Sequence, residues 1–202
     1  MGVPMAPETR LRPHGAGKQQ LHATALRLFA HTGVAGTTMQ AIADEMGVTK
    51  AALFYHYKSK DDLVLGVVAP IFEKLAAVLT KAEFRRGRQA QLNEILTGCV
   101  DLVLEFRSQY AVLMNDPYVS RLLARHEERP GWESRVGSFI VRVASDPADR
   151  IPLMVFIGGL ASPLGDPAVA ALDDAVLREQ FLDSGRRLLQ IRRRSAGEST
   201  TA

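Results

Sequence analysis

The stretch from Thr37 to Leu63, TTMQAIADEMGVTKAALFYHYKSKDDL, constrains the fold of this chain more than any other segment. Its first apolar residues recur at the i, i+3, i+4, i+7 spacing that gives a helix one buried face: Met39, Ile42, Ala43 and Met46. Gly47 can supply a left-handed residue that ends this helix, and Thr49 is placed to cap the next one. The stretch therefore predicts two short helices joined by a tight turn, followed by the start of a longer helix.

Capping-box pairs mark the starts of two of these helices. Thr37 and Gln40 have the required spacing before the first helix, and Ser59 and Asp62 have it before the long helix. In the short middle helix, the apolar side chains predicted to face the core are Leu53, Phe54 and Tyr57. The arrangement is that of a helix-turn-helix held against a third helix.

The outer face of the middle helix carries residue types that suit the major groove of DNA. That groove is about 12 Å wide and admits one helix, which reads bases with its N-terminal residues. Lys50 can donate to guanine O6 and N7, and the small side chains of Ala51 and Ala52 allow close approach. Tyr55 and His56 are predicted to meet backbone phosphates. A phosphate at the start of the long helix would also bind Lys60 and the free backbone N–H groups there.

These residues resemble the tetracycline-repressor (TetR) family of bacterial regulators. The resemblance rests on Thr38-x-x-x-Ile42-Ala43, Gly47-Val48-Thr49 and Leu53-Phe54-Tyr55-His56-Tyr57-x-Ser59-Lys60-x-x-Leu63, and covers about the first third of the chain. It implies a three-helix DNA-binding domain, a C-terminal helical domain that binds a ligand and forms a homodimer, and release of DNA by that ligand. With Thr49 added, the predicted DNA contacts are Thr38, Thr49, Lys50, Ala51, Ala52, Tyr55, His56 and Lys60.

Two positions depart from the family pattern. Family members often carry glycine where this chain has Ala51, and tyrosine where it has Phe54. Because Phe54 has no hydroxyl group to offer a phosphate, it is assigned to the core.

The positive charge of the chain, which is +3 in total, comes from its N-terminal part, which contains the predicted helix-turn-helix of residues 37–63, the DNA reader. Residues 1–60 contain seven Lys or Arg and three acidic residues, whereas the remainder has slightly more acidic than basic residues. A local excess of cations is what phosphate binding requires.

Composition predicts a cytoplasmic globular protein, and the helical spacing of its apolar residues, without a segment of strand period, predicts the all-α class. Hydrophobic residues make up 47% and charged residues 23% of the 202 residues, an ordinary balance. No apolar run reaches the ~18 residues of a membrane span, and the N-terminus lacks the apolar core of a signal peptide. The single cysteine, Cys99, is consistent with a reducing compartment.

The predicted organisation has four segments. Residues 1–17 form a disordered basic arm, 18–63 the helix-turn-helix domain, 64–194 the helical ligand-binding and dimerisation domain, and 195–202 a disordered tail. With Arg10, Arg12 and Lys18, the arm could enter the minor groove, although a solvated tail is the commoner use of such a segment. Within the large domain, periodicity predicts helices over 60–84, 89–106, 132–144, 150–161 and 173–193.

The C-terminal domain offers two candidate sites. Large or flexible apolar residues that could line a ligand pocket, but could each be plain core, are Cys99, Phe106, Met114, Trp132, Phe139 and Met154. The segment from Arg150 to Ala161 is apolar nearly all round, so it should be buried on more than one side. The residues predicted to form a dimer interface are Gly158, Ala161, Phe181 and Leu188; burial within one chain is the alternative.

The sequence favours a regulator over an enzyme. It contains no GxSxG, phosphate-binding loop or HExxH motif, and its five histidines lack metal-ligand spacing. We therefore predict no catalytic residues, metal or cofactor. The partners predicted are a palindromic operator in double-stranded DNA and a small apolar or amphipathic effector that releases a repressor. A transcriptional activator or a ligand-blind regulator is the alternative, and a small helical enzyme is a remote one.

Overall fold

The computed structural model describes residues 14–114, 116–126, 138, 140–144 and 146–191. These residues form helices and the connections between them, with no strand among them, which confirms the all-α prediction. The chain divides into two compact units, Met1–Leu63 and Val64–Ala202.

The first unit contains three helices and the first turn of a fourth: α1 (His14–Gly36), α2 (Met39–Met46), α3 (Lys50–His56) and the start of α4 (Lys60–Glu83). Its core is built from one face of each helix and includes Leu21, Ala25, Phe29, Ile42, Ala43, Leu53 and Leu63. The backbone is helical from His14, so residues 14–17 do not belong to a disordered arm as predicted. Helix propensity is a weak prior, and Gly15 and Gly17 alone do not stop a helix that packs. Arg10 and Arg12 lie outside the described residues.

The ends of α2 and α3 are capped largely as the sequence predicts. Gly47 ends α2 with φ at 65°, and Thr49 caps α3 by accepting a hydrogen bond from the Ala52 N–H at 3.2 Å. The predicted capping box of Thr37 and Gln40 is wrong, because the cap of α2 is Thr38, whose Oγ1 accepts from the Ala41 N–H. Thr37 is instead the last residue of the turn that precedes α2.

The second unit contains the rest of α4 and the helices α5 (Arg88–Glu105), α6 (Arg107–Gln109), α7 (Pro117–His126), α8 (Pro147–Gly159), α9 (Pro167–Ala170) and α10 (Asp174–Leu188). A π-helical turn, Tyr110–Met114, follows α6, and a 3₁₀ turn, Ser162–Gly165, follows α8. Helical residues are also present at 138 and 140–143. Pro117, Pro147 and Pro167 begin helices as predicted, and Pro130 lies outside the described residues.

The core of this unit lies between α5, α8 and α10. Gly185 of α10 makes their close approach possible, because a Cβ atom at that position would lie 2.2 Å from Leu96 Cδ1 and 2.8 Å from Phe156 Cε2. Among the described residues, α4 is long and apolar enough to cross a membrane. Its Ile71, Leu79 and Ala82 are buried in the core of the second unit.

One face of α8 is not covered by the residues that the structure describes. Leu153 and Phe156 are buried, whereas Ile151, Met154 and Val155 are 61%, 58% and 55% exposed. Among the described residues, α8 is therefore buried on one side only, whereas the sequence predicts burial on more than one side.

Candidate nucleic-acid interface

Helix α3 separates its buried and exposed residues clearly. Leu53 and the cap residue Tyr57 are buried against the first unit. The opposite face is exposed and carries the predicted contact residues Lys50, Ala51, Ala52, Tyr55 and His56. The helix thus presents one cation, two small side chains and two ring-bearing polar side chains to solvent.

Phe54 belongs to the exposed face, which corrects its assignment to the core. Its side chain is 41% exposed, and the Lys50 Nζ lies 5.8 Å from the centroid of its ring. The reason is the helical period, since residues four positions apart lie on the same face of a helix. Phe54 therefore lies on the exposed face with Lys50 and not on the buried face with Leu53. An ammonium group over an aromatic face is attracted by the ring quadrupole.

Two further predicted contacts stand at helix starts. Thr38 and Thr49 are exposed, and each hydroxyl oxygen accepts a backbone N–H from the first turn of its own helix. A threonine hydroxyl that accepts in this way can still donate its own hydrogen. Both residues can therefore donate to a phosphate at the ends of α2 and α3.

Lys60 has partners that the sequence did not indicate. Its Nζ donates to the carbonyl oxygens of Val34 at 2.9 Å, Ala35 at 3.1 Å and Thr37 at 3.1 Å. The side chain that was predicted to meet a phosphate is thus hydrogen-bonded to the last turn of α1 and to Thr37, which follows it.

The buried end of α3 is joined to α1 by a polar contact. His22 Nε2 lies 2.5 Å from the hydroxyl oxygen of Tyr57, and the Lys18 Nζ lies 5.6 Å from the Tyr57 ring centroid. Burial, and secondarily the Lys18 charge, lowers the pKa of His22 from its ordinary value. Neutral His22 is therefore the form that the folded unit favours.

We expect the stability of the folded chain to fall as His22 becomes protonated. Because the pKa of His22 is lower in the folded state, the unfolded chain binds the proton more readily once the pH drops through about 6.5. The urea concentration at which half of the protein is unfolded should be lower at about pH 5.5 than at about pH 7.5. This difference should be smaller in His22→Gln. The exposed His31→Gln is the matched control and should behave as the wild type does. An equal fall in His22→Gln would show that other groups are responsible.

The predicted pocket residues do not form one site. Cys99 is buried in the core of the second unit, and burial raises the pKa of its thiol to about 12, which makes it an unreactive neutral thiol. Phe106 and Met114 pack at the edge of that core. Met154 lies on the exposed face of α8, so its assignment to a pocket is wrong. Trp132 and Phe139 lie outside the described residues.

A cavity of about 250 Å³ is present elsewhere in the second unit. It is lined by residues from the start of α5, from the first half of α8 and the segment before it, and from the end of α10 and the two residues after it: Arg88, Gln89, Leu92, Ala144, Asp149, Pro152, Leu153, Leu188, Leu189 and Gln190. Leu188 was predicted as an interface residue, and none of the predicted pocket residues takes part. No sequence motif marks this site, because its walls come from three distant segments.

The predicted interface residues fall into two groups. Gly158 is exposed with no other atom within 4 Å of the position that a Cβ would take, and Leu188 is exposed on α10. Ala161 and Phe181 are half-buried and pack against the core of their own unit. The exposed residues Ile151, Met154, Val155 and Gly158 follow the i, i+3, i+4, i+7 spacing and form an apolar stripe on α8.

Known proteins are similar to this chain in the sequence of the helix-turn-helix segment and in the overall fold. Residues 21–67 match the family model described as bacterial regulatory proteins, tetR family. The chain is 48% identical over 48 residues to the HTH-type transcriptional regulator YerO of Bacillus subtilis, a match covering 24% of this chain and 17% of that protein. It is 34% identical over 71 residues to the HTH-type transcriptional repressor KstR2 of Mycolicibacterium smegmatis, covering 35% of this chain and 34% of that protein.

A solved structure extends the likeness in fold to most of the chain. The TetR-like transcriptional regulator from Rhodococcus sp. RHA1 superposes with a TM-score of 0.60 over 89% of this chain and 99% of that one, at 18% identity. Identity at that level shows the fold alone, whereas the match to the family model lies in residues 21–67, which contain the helix-turn-helix. In that segment this chain is similar to the bacterial regulatory proteins of the tetR family, and over most of its length it shares the fold of a TetR-like regulator.

Proposed function

We propose that this chain is a transcriptional repressor that binds a palindromic operator as a homodimer and leaves it when a small apolar or amphipathic ligand binds. The observation that carries the proposal is the division of α3, with Leu53 and Tyr57 buried and Lys50, Tyr55 and His56 exposed. A helix held from behind by its apolar residues can enter a major groove with its polar face.

The DNA contacts divide by role. Lys50, Ala51 and Ala52 stand at the N-terminal end of α3, where side chains reach base edges, and they would read sequence. Thr38, Thr49, Tyr55 and His56 carry hydrogen-bonding groups around that end and would hold phosphates. Phosphate contacts set the position of the reader, and base contacts provide its preference.

The apolar stripe on α8 supports the homodimer. A two-fold interface uses the same patch on both subunits, so one exposed apolar stripe is sufficient to form it. Gly158 adds a position without a side chain, which lets the partner helix approach closely. Exposed apolar surface of this kind marks a protein interface more often than a plain solvated face.

Repression is proposed because KstR2, one of the relatives, is named a repressor. The ligand would bind in the second unit and shift the population of dimers away from the spacing that the operator requires. This role needs no catalytic residue, metal or cofactor, and it places the protein in the cytoplasm with the bacterial DNA.

The proposal is tested by titrating ligand-free protein with a labelled mixed-sequence DNA duplex at increasing salt. We expect log Kobs to fall linearly with log[salt], since cations at the reader release counterions from the phosphates. A duplex RNA of the same sequence is the matched control and should bind more weakly, because its major groove is too deep and narrow for α3. Equal binding to both duplexes, or binding insensitive to salt, would contradict the proposed reader.

A further inference from the structure

Residues 34–37, which are the last turn of α1 and the residue after it, form the turn before α2 and direct three main-chain carbonyl oxygens at one side chain. Val34, Ala35 and Thr37 each offer an oxygen within 3.1 Å of the Lys60 Nζ. The lysine is 23 to 26 residues further along the chain, at the first position of α4. Because these residues are distant in sequence, the contact fixes the start of α4 relative to the turn before α2.

The hydrogen-bond donors of Lys60 match the acceptors of the turn in number and charge. An ammonium group has three hydrogens to donate and no acceptor, and here three carbonyl oxygens receive them. Carbonyls at the end of a helix lack partners within it and carry partial negative charge, so a cation there is favourable. At the start of α4 the same charge would be unfavourable to the dipole. Because the Lys60 side chain extends to the carbonyls of the turn, its charge lies away from the N-terminus of α4 and this unfavourable interaction is reduced.

Contacts within this part of the chain also define the shape of the turn. Helical backbone angles are interrupted at Gly33, where φ is 70° and ψ is 162°. Thr37 is 2% exposed, and its Oγ1 donates to the Gly33 carbonyl at 2.9 Å. The following residue, Thr38, is the N-cap of α2. The start of the helix-turn-helix is therefore set by hydrogen bonds around this turn, among which those of Lys60 come from outside it.

We propose that Lys60 is a positioning residue of the DNA reader, which binds the carbonyls of the turn before α2 and so fixes the orientation of α2 and α3. This inference rests on the proposed function and replaces the phosphate contact predicted for Lys60. A lysine that holds the reader in place affects which sequence is preferred. A lysine that holds a phosphate affects all sequences alike and contributes to the salt dependence.

The test compares Lys60→Met, which keeps the length of the side chain and removes its charge, with Lys58→Met, which removes the charge of an exposed lysine two residues earlier. Affinities are measured for a palindrome selected by the wild type and for a mixed-sequence duplex, at a temperature where circular dichroism shows each variant folded. For Lys60→Met we expect the ratio of the two affinities to fall about tenfold or more, while the salt slope stays at the wild-type value; for Lys58→Met we expect the ratio to stay at the wild-type value. A smaller salt slope with an unchanged ratio would identify a phosphate contact and overturn the inference. Unchanged ratio and unchanged slope would overturn it also.

Amide hydrogen exchange tests the positioning step without DNA. The N–H of Ala41 donates to Thr38 Oγ1 and that of Ile42 to the Thr38 carbonyl, so both report on the start of α2. We expect them to exchange about tenfold faster in Lys60→Met than in Lys58→Met. Equal protection would contradict the inference even if DNA binding were confirmed, whereas faster exchange in a chain that binds no DNA would contradict only the proposed function.

Lys60→Arg serves if Lys60→Met does not fold. Arginine keeps the charge, but its planar fork does not match three carbonyls that converge on one point. Positioning predicts a reduced affinity ratio for this variant. A phosphate contact predicts the wild-type ratio, because a guanidinium binds phosphate well.

Discussion

Met154→Asp is expected to convert the homodimer into monomers and to lower affinity for a palindromic operator by about 100-fold or more. Met154 lies at the centre of the exposed stripe on α8 and is 58% exposed in the single chain, so the charge costs the isolated fold little. In a two-fold interface the same carboxylate would be desolvated on both subunits and would face its own copy. A buried unpaired charge costs several kcal/mol, and each 1.4 kcal/mol is about tenfold in association. A monomer also loses the gain from binding two linked half-sites.

The matched control is Phe84→Asp. Phe84 is 83% exposed at the end of α4, outside the stripe, so this variant makes the same apolar-to-acidic change at a position with no proposed partner. Light scattering after size exclusion reports the mass, and fluorescence anisotropy reports binding to the palindrome. We expect Phe84→Asp to remain dimeric and to bind as the wild type does. A dimeric Met154→Asp, or a monomeric Phe84→Asp, would place the interface elsewhere.

Lys50→Ala is expected to remove the preference for one base pair in each half-site. Lys50 stands at the first position of α3, with its ammonium group directed over the exposed Phe54 ring rather than into the protein. Loss of a lysine contact to guanine costs roughly 1–3 kcal/mol of discrimination at that base pair.

Competition between operator duplexes that differ at single base pairs measures this discrimination. Lys58→Ala is the control, since it removes an exposed cation outside α3 and should weaken all duplexes in proportion. If Lys50→Ala also weakened all of them in proportion, Lys50 would bind phosphate and the base-reading role would be wrong.

The helix-turn-helix was predictable because its determinants are local. The spacing of Met39, Ile42 and Ala43 defines the buried face of α2, Gly47 ends it, and Thr49 caps the next helix. Lys60 is different. Its partners lie in a turn 23 to 26 residues earlier, and no local pattern indicates that the carbonyls of that turn converge.

In the second unit the longer helices α5, α8 and α10 were predictable and the sites were not. An apolar residue that faces a partner subunit has the same helical spacing as one that faces the core, so Met154 could be assigned to either. The cavity depends on Arg88, Asp149 and Gln190, which are brought together only by the fold. Phe54 shows the same limit on a smaller scale, because an apolar side chain on a short helix does not reveal whether it is buried.

The most direct measurement is selection of bound sequences from a random duplex library, with the ligand-free wild type and Lys50→Ala in parallel. The proposed reader predicts that the wild type recovers a two-fold palindrome, with half-site centres about 34–36 Å apart or a multiple of that distance. It predicts that Lys50→Ala recovers the same palindrome with one position in each half-site degenerate. No enrichment by the wild type, or an enriched site without two-fold symmetry, would contradict a dimer that reads DNA with α3.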